Sequence, residues 1–340
     1  MTEQQWQQLL DVVQGRTTEA PVGFIIDSPW LPGWAGMSIM DYFANDADWL
    51  AANLKALREF PDVTFLPGFW SEYGMCTEPS AFGAKPVWAE DEFPFAERVI
   101  HDLSTRVARP NPRTDGLLPF VLKRLQHFEP AIRDAGHAIR FAVARGPLNV
   151  ASFLTGNTEF LMGIMTQPDD MHALLGTVTD FLVDWVGLQA ETFPTIDGVF
   201  LLDDIIGFLG EDQFTEFALP YVKRVYDAFD VSVKFLHNDA RGLVSAPYLP
   251  EMGVNLFNFA FEHGLAEMRE LTKGQVALLG NIPPRDVLAS GTPDDVRQAV
   301  AEALASTDDH SRLMLSCGGG MPPDVSTENI RAFCEAAANQ

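Results

Sequence analysis

GVFLLDDIIGFLGEDQFTEFALPYVKRVYDAFDVSVKFLHND, residues 198 to 239, reads as a strand, a helix and a second strand. The apolar run GVFLL ends at Asp203 and Asp204, Glu211 to Phe229 carries apolar residues at helical spacing, and VKFLH delivers His237 and Asp239. Two short runs apolar throughout, joined by a helical stretch, are the pattern of a parallel crossover whose strands are buried on both faces. The unit recurs in both directions. PVGFIID (21 to 27), VTFLPGF (63 to 69), AIRFAVARG (138 to 146), VNLFNFA (254 to 260), QVALLGN (275 to 281) and RLMLSCG (312 to 318) are apolar runs closed by polar residues or glycine. Helical patterns lie at Ser38 to Phe60, Gly116 to Ala135, Asp169 to Phe193, Gly264 to Thr272, Thr292 to Ala305 and Thr327 to Ala338. Eight strand candidates separated by helices predict an α/β fold, a (β/α)8 TIM barrel forming one domain over residues 1–340. An open doubly wound sheet would usually carry a phosphate-binding glycine fingerprint, and neither GxGxxG nor a P-loop occurs. Ser71 to Ile100 is too long for a plain connection, which predicts an elaborated loop after strand two with an extra strand, as a lid or pocket wall.

Composition narrows the function classes. With 47 Asp+Glu against 23 Lys+Arg, the formal charge of −24 repels phosphate backbones and argues against a nucleic-acid partner. Hydrophobic residues make up 47% of the chain, enough to build a large core, so disorder is excluded. Three cysteines, Cys76, Cys317 and Cys334, are too few and odd in number for a secreted disulfide framework. The opening MTEQQWQQLL lacks a signal peptide's basic start and apolar run, and no stretch approaches a membrane span. A soluble, cytoplasmic protein without a membrane partner is expected.

In such a barrel the carboxyl ends of the strands line the active site. The residues there are Asp27, then Glu72, Tyr73 and Cys76 beyond strand two, Arg145, Asp203, Asp204, His237, Asp239, Asn258 with Glu262 nearby, Asn281 and Cys317. Each has a plainer alternative as a helix cap or a loop salt bridge. His237 and Asp239 lie two apart, so on a strand both side chains point the same way. Cys317 arrives on the last strand, and histidine, carboxylate and thiolate are ordinary zinc donors. A hydrogen-bonded His and Asp pair beside an inert core thiol would have the same sequence. Gly318, Gly319 and Gly320 then predict either close backbone approach to a ligand or a tight turn.

The carboxyl-terminal half resembles the uroporphyrinogen decarboxylase superfamily in LLDDIIGFLGEDQFTEFALPYVKRVYDAF, VKFLHNDA, YLPEMGVNLFNF, LLGNIPPRDVLASGTPDDVRQAV and LSCGGGMPPDVSTENIRAF, in the family's order. EPSAFGAKP (78 to 86) is similar to its pocket-side segment. The resemblance implies a barrel with its cleft at the strand carboxyl ends. Tetrapyrrole decarboxylases of the superfamily use no metal and hold substrate through an arginine segment, RQAGRY. Here IIDSPWLPGWAG (25 to 36) stands in that place without arginine. The zinc-dependent methyltransferases carry His-x-Cys on one strand and a Cys on the last, and His237 and Cys317 fall on those positions. Asp239 replaces the middle cysteine, and a ligand from the next strand would fall near Asn258 or Glu262.

The resemblance therefore implies zinc held by His237, Asp239 and Cys317. Asp27, Glu72 and Asp204 are the candidate catalytic carboxylates. Tyr73, Cys76, Arg145, Asp203, Asn258, Asn281, Gly318 and Gly319 are expected to bind a small, sulfur-containing substrate. Thiol-directed methyl transfer from a corrinoid or folate donor is the leading expectation, with a corrinoid protein as partner and a homodimer as the assembly. A thiolate exchanged for the Asp239 carboxylate leaves a more Lewis-acidic metal, which also suits a hydrolase, desulfhydrase or C–S lyase. A cofactor-free decarboxylase and a non-catalytic ligand-binding barrel are the remaining alternatives.

Overall fold

Strand pairing runs in chain order around most of a barrel. In the computed structural model, which describes residues 1–26, 29–240 and 243–338, the strands are β1 (Gly23–Ile25), β2 (Thr64–Leu66), β3 (Pro86–Val87), β4 (Phe95–Ala96), β5 (Phe141–Arg145), β6 (Gly198–Leu202), β7 (Val233–Asn238), β8 (Leu256–Phe259), β9 (Ala277–Ile282) and β10 (Leu313–Cys317). β5 to β10 form one parallel sheet in sequence order, and β1 pairs in parallel with β2. A parallel bridge between Val22 and Leu315 joins β1 to β10, where the Leu315 N–H donates to the Pro21 carbonyl at 2.8 Å. Each of the eight apolar runs thus contains a barrel strand. Among the described residues no ladder joins β2 to β5. There the chain after β2 meets the segment leading into β5 through side chains, with the Phe69 and His137 rings 5.8 Å apart.

Alternation along these strands divides the apolar residues between two cores. Ile25, Leu66, Phe141, Phe200, Val233, Phe235, Leu256, Ala277, Leu279 and Met314 point inward and meet Trp6, Leu9, Val12 and Val13 of the helix Glu3–Val13. Phe200 and Phe235, neighbours in the β6–β7 register, stack at 4.1 Å, and Trp6 meets Phe141 edge-on at 5.5 Å. The helix closes the amino-terminal end of the barrel, so the opposite end holds the mouth. The alternate residues, among them Leu201, Leu236, Phe257 and Leu278, face the outer helices.

Several local expectations change. The helix expected over Ser38 to Phe60 is two, Ile39–Ala44 and Asp46–Glu59, because Asn45 leaves the helical region and its side-chain oxygen caps the second, accepting from Ala47 N–H at 3.0 Å. The long loop after β2 holds two short antiparallel strands, β3 and β4, because a lone strand there has nothing else to pair with. Three helices, Pro147–Thr155, Asn157–Thr166 and Pro168–Thr192, follow β5, where sequence reading predicts only the last. No helix among the described residues is long and apolar enough to cross a membrane.

Because Phe235 is fully buried in the inward core, Phe235→Ala is expected to lower stability by about 3–5 kcal/mol. Urea unfolding measures this; a loss under about 1 kcal/mol would mean that the barrel interior tolerates collapse.

Candidate active site

β6 and β7 bring three acceptors together at the mouth. His237 is opposite Leu202 in the register, so the residues after β6 and β7 emerge side by side. His237 Nε2 lies 3.5 Å from Asp204 Oδ1 and 3.9 Å from Asp239 Oδ2. The three ligand atoms lie within 4.8 Å of one another. Asp239 N–H donates to Asp204 Oδ1 at 3.2 Å, fixing one carboxylate relative to the other.

Asn258, opposite His237 on β8, decides which imidazole nitrogen faces that space. Its Nδ2 donates to the carbonyls of Leu279 (2.8 Å) and Cys317 (3.3 Å), which leaves Oδ1 to accept from His237 Nδ1–H at 2.7 Å. With Nδ1–H given to Asn258, His237 turns Nε2 toward two carboxylate oxygens, as a lone pair in the neutral ring or as an N–H in the imidazolium. In the neutral ring three acceptors face one another, an arrangement that a proton or a metal cation relieves. Tetrahedral zinc with bonds of 2.0–2.2 Å separates its donors by about 3.4 Å. The donor types fit such an ion, the 3.5 Å between His237 Nε2 and Asp204 Oδ1 matches that spacing while the 3.9 Å to Asp239 Oδ2 is longer, and Asn258 supplies the orienting contact usual for a metal-bound histidine. Burial raises the Asp239 carboxyl above its ordinary range, as does Asp204, while His237 and Arg285 pull it down.

Asp203 and Asp204 take opposite roles. Asp203 is fully buried and accepts the N–H groups of Leu148 (3.0 Å) and Asn149 (2.9 Å) at the start of the helix after β5. Burial holds its carboxyl well above the usual range, the Leu148 and Asn149 amides opposing and Asp204 adding to the shift. A Cβ on Gly146 would fall 2.2 Å from its Oδ2, so only glycine fits there. The side chain expected to bind substrate is instead turned into the framework.

The last strand behaves differently from expectation in detail. Cys317 is buried, with Sγ 3.5 Å from the Gly319 carbonyl and 3.7 Å from that of Gly320, and it does not belong to the three-atom group. Asp204 occupies that place beside His237 and Asp239. A Cβ on Gly318 would meet Phe261 N at 2.6 Å, and Gly319, with φ +98, lies against Asp239. The close approach at these glycines is thus to the protein's own chain. Beside them a cleft of about 240 Å³ is lined by Asp239, Phe261, Glu262, Pro284, Arg285 and Gly318. Asn281 donates to the His263 carbonyl.

The residues after β2 meet β5 instead of the metal-type cluster. Arg145 Nη2 donates to Glu72 Oε2 at 2.9 Å, and its Nη1 lies 3.5 Å from Glu78 Oε2. All three side chains are buried. Glu78, which opens the pocket-side segment EPSAFGAKP but is not among the expected site residues, also accepts the Arg145 backbone N–H. Burial pushes the nearby Cys76 thiol up to about 11, so it is a neutral thiol at neutral pH. Tyr73 accepts from the buried Arg124 at 3.1 Å. Of the carboxylates expected as bases, Glu72 is held by Arg145, Asp204 joins the cluster, and Asp27 lies outside the described residues.

The model of the uroporphyrinogen decarboxylase (URO-D) family matches residues 34–340. The chain belongs to the URO-D family. A uroporphyrinogen decarboxylase of Chloroherpeton thalassium is 28% identical over 180 residues, 51% of this chain and 49% of that protein. The chain thus matches about half the length of that relative. One from Pseudoalteromonas translucida is 24% identical over 299 residues, covering 83% of this chain and 80% of its own. Among solved structures, a methyltransferase from Methanosarcina mazei superposes with a TM-score of 0.82 at 17% identity, covering 98% of each chain. A B12-independent methionine synthase from a Shewanella species gives 0.59 at 13% identity, covering 94% of this chain and 95% of its own. These two share the fold of this URO-D family chain.

Glu78's carboxyl is raised chiefly by burial, with Arg145 opposing and Glu72 adding. A carboxyl with a raised folded pKa holds its proton better folded than unfolded, so its contribution to stability falls as pH rises through that range. Arg145→Met strips the pair of its cation. It is expected to destabilise by about 3–5 kcal/mol at neutral pH and by less at mildly acidic pH, where the Glu78 carboxyl, already raised by burial, takes up a proton. Urea unfolding at both pH values is the measurement, and an equal loss at each contradicts the account.

Proposed function

We propose that this URO-D family enzyme is zinc-dependent and transfers a methyl group to a small thiol, with Asp204, His237 and Asp239 as the metal-holding residues. One observation carries the reading: His237 Nε2, its Nδ1 given to Asn258, and two carboxylate oxygens converge within 4.8 Å of one another, a donor set that suits a cation. Bound zinc supplies Lewis acidity that lowers the pKa of a coordinated thiol or water. Asn258 keeps His237 in the required tautomer, and the cleft beside Asp239 receives the substrate against Phe261 and Pro284. The donor would be a methylcorrinoid on a partner protein or a methylated folate. As sulfur bonds to the methyl carbon, the electron pair of the broken bond stays with the donor.

Metal-activated hydrolysis is the second reading, favoured by the nitrogen and oxygen donor set, which is harder than one containing a thiolate. Tetrapyrrole decarboxylation, the activity named for the sequence relatives, fits this mouth less well. Its strand-end arginine, Arg145, is already held by Glu72 and Glu78.

Purified protein is expected to hold close to one equivalent of zinc, His237→Ala almost none, and Cys317→Ala nearly the full amount. Elemental analysis of the three proteins decides this, and loss in Cys317→Ala would restore the thiol to the donor set. Incubation of the zinc protein and a thiol with methylcobalamin or methyltetrahydrofolate should yield the methyl thioether. Sulfide or carboxylate release in donor-free buffer, without thioether formation, would transfer the assignment to hydrolysis.

A further inference from the structure

Asn149 lies in none of the strand-end positions, yet it touches four consecutive residues of the turn that carries Asp204. Its backbone N–H donates to Asp203 Oδ1 at 2.9 Å. Its side-chain Nδ2 donates to the Leu202 carbonyl at 3.2 Å and to Asp204 Oδ2 at 3.3 Å, and its Oδ1 accepts from Ile205 N–H at 3.0 Å. Asn149 is 6% exposed, so water does not readily replace these contacts. Asp203 in turn grips the first turn of the helix bearing Asn149, at Leu148 and Asn149. Only an amide both donates and accepts in this manner at this length.

The two oxygens of Asp204 are thereby distinguished. Oδ2 is tied back by Asn149, while Oδ1 is turned toward His237 and accepts from Asp239 N–H. We infer that Asn149 is a positioning residue that aims a single oxygen of Asp204 at the metal-holding space. The inference rests on the zinc reading above for its energetic consequence, but its geometric content is independent of it. Without the amide, the half-exposed carboxylate would rotate and Oδ1 would lose its fixed place.

A double-mutant cycle tests this by zinc affinity, measured in competition with a chromogenic chelator. Asn149→Ala is expected to weaken zinc binding about 10- to 100-fold and to have under about a 2-fold effect in an Asp204→Ala background, because the path through Asp204 is then gone. Equal weakening in both backgrounds, or none in either, overturns the role. Should Asn149→Ala fail to fold, Asn149→Asp keeps the acceptor for Ile205 N–H and removes the donor to Asp204, and the same pattern is required of it. If the parent protein takes up no zinc, the zinc reading fails alone. Crystal structures of the parent and whichever variant folds then decide the positioning claim, and an Asp204 carboxylate unmoved beside His237 overturns it.

Discussion

Among the described residues, hydrogen-bonded pairing goes almost all the way round this barrel and stops between β2 and β5. The buried Glu72, Arg145 and Glu78 group bridges that seam. Two carboxylates and one guanidinium removed from water carry a desolvation cost of several kcal/mol per ion, offset only while every partner stays in place. The group is therefore a weak source of net stability, and what it supplies is a contact between the two sides of the seam. It ties the loop after β2 to the end of β5, and the helix that starts at Pro147 begins two residues beyond Arg145. That helix carries Asn149, so the strand end held by these ionic contacts leads directly into the segment that hydrogen-bonds Asp204.

The division of labour between adjacent residues follows from the same geometry. At the end of β6 one carboxylate, Asp203, faces the helix amides and is absorbed by the framework, while the next, Asp204, faces the mouth. Asp203 stays buried because two N–H groups at a helix N-terminus compensate it. Its neighbour has weaker contacts and remains available for chemistry. Likewise Asn258 is held by two carbonyls before it orients His237, so the imidazole takes its tautomer from backbone positions on β9 and β10.

Much of this was legible in the sequence because strands buried on both faces leave uninterrupted apolar runs. The polar residues that end such runs stand out against them, and the two-residue alternation placed His237 and Asp239 on one side. What periodicity cannot report is side-chain rotation in a loop. Cys317 was expected among the donors, but the turn through Gly318 and Gly319 lies so close to Phe261 and Asp239 that the thiol faces its own loop carbonyls. Asn149 was invisible for a different reason. Its partner Asp204 is 55 residues away, and only the docking of a helix that the apolar pattern did not reveal brings them together. ARGPLNVAS does hold a usable signal, since Gly-Pro after a strand marks a helix start on the mouth side.

The acidic excess bears on traffic to the site. Asp239, Glu262 and Asp286 rim the cleft, with Arg285 the one basic side chain among its described lining residues, on a molecule whose formal charge is −24. A field of that sign would draw divalent cations toward the mouth, and added salt would weaken that attraction as the screening length shortens toward 10 Å and below. Anionic molecules meet the opposite gradient. For a negatively charged substrate, arrival would accelerate with ionic strength, so the salt dependence of the encounter rate reports the sign of what enters the barrel.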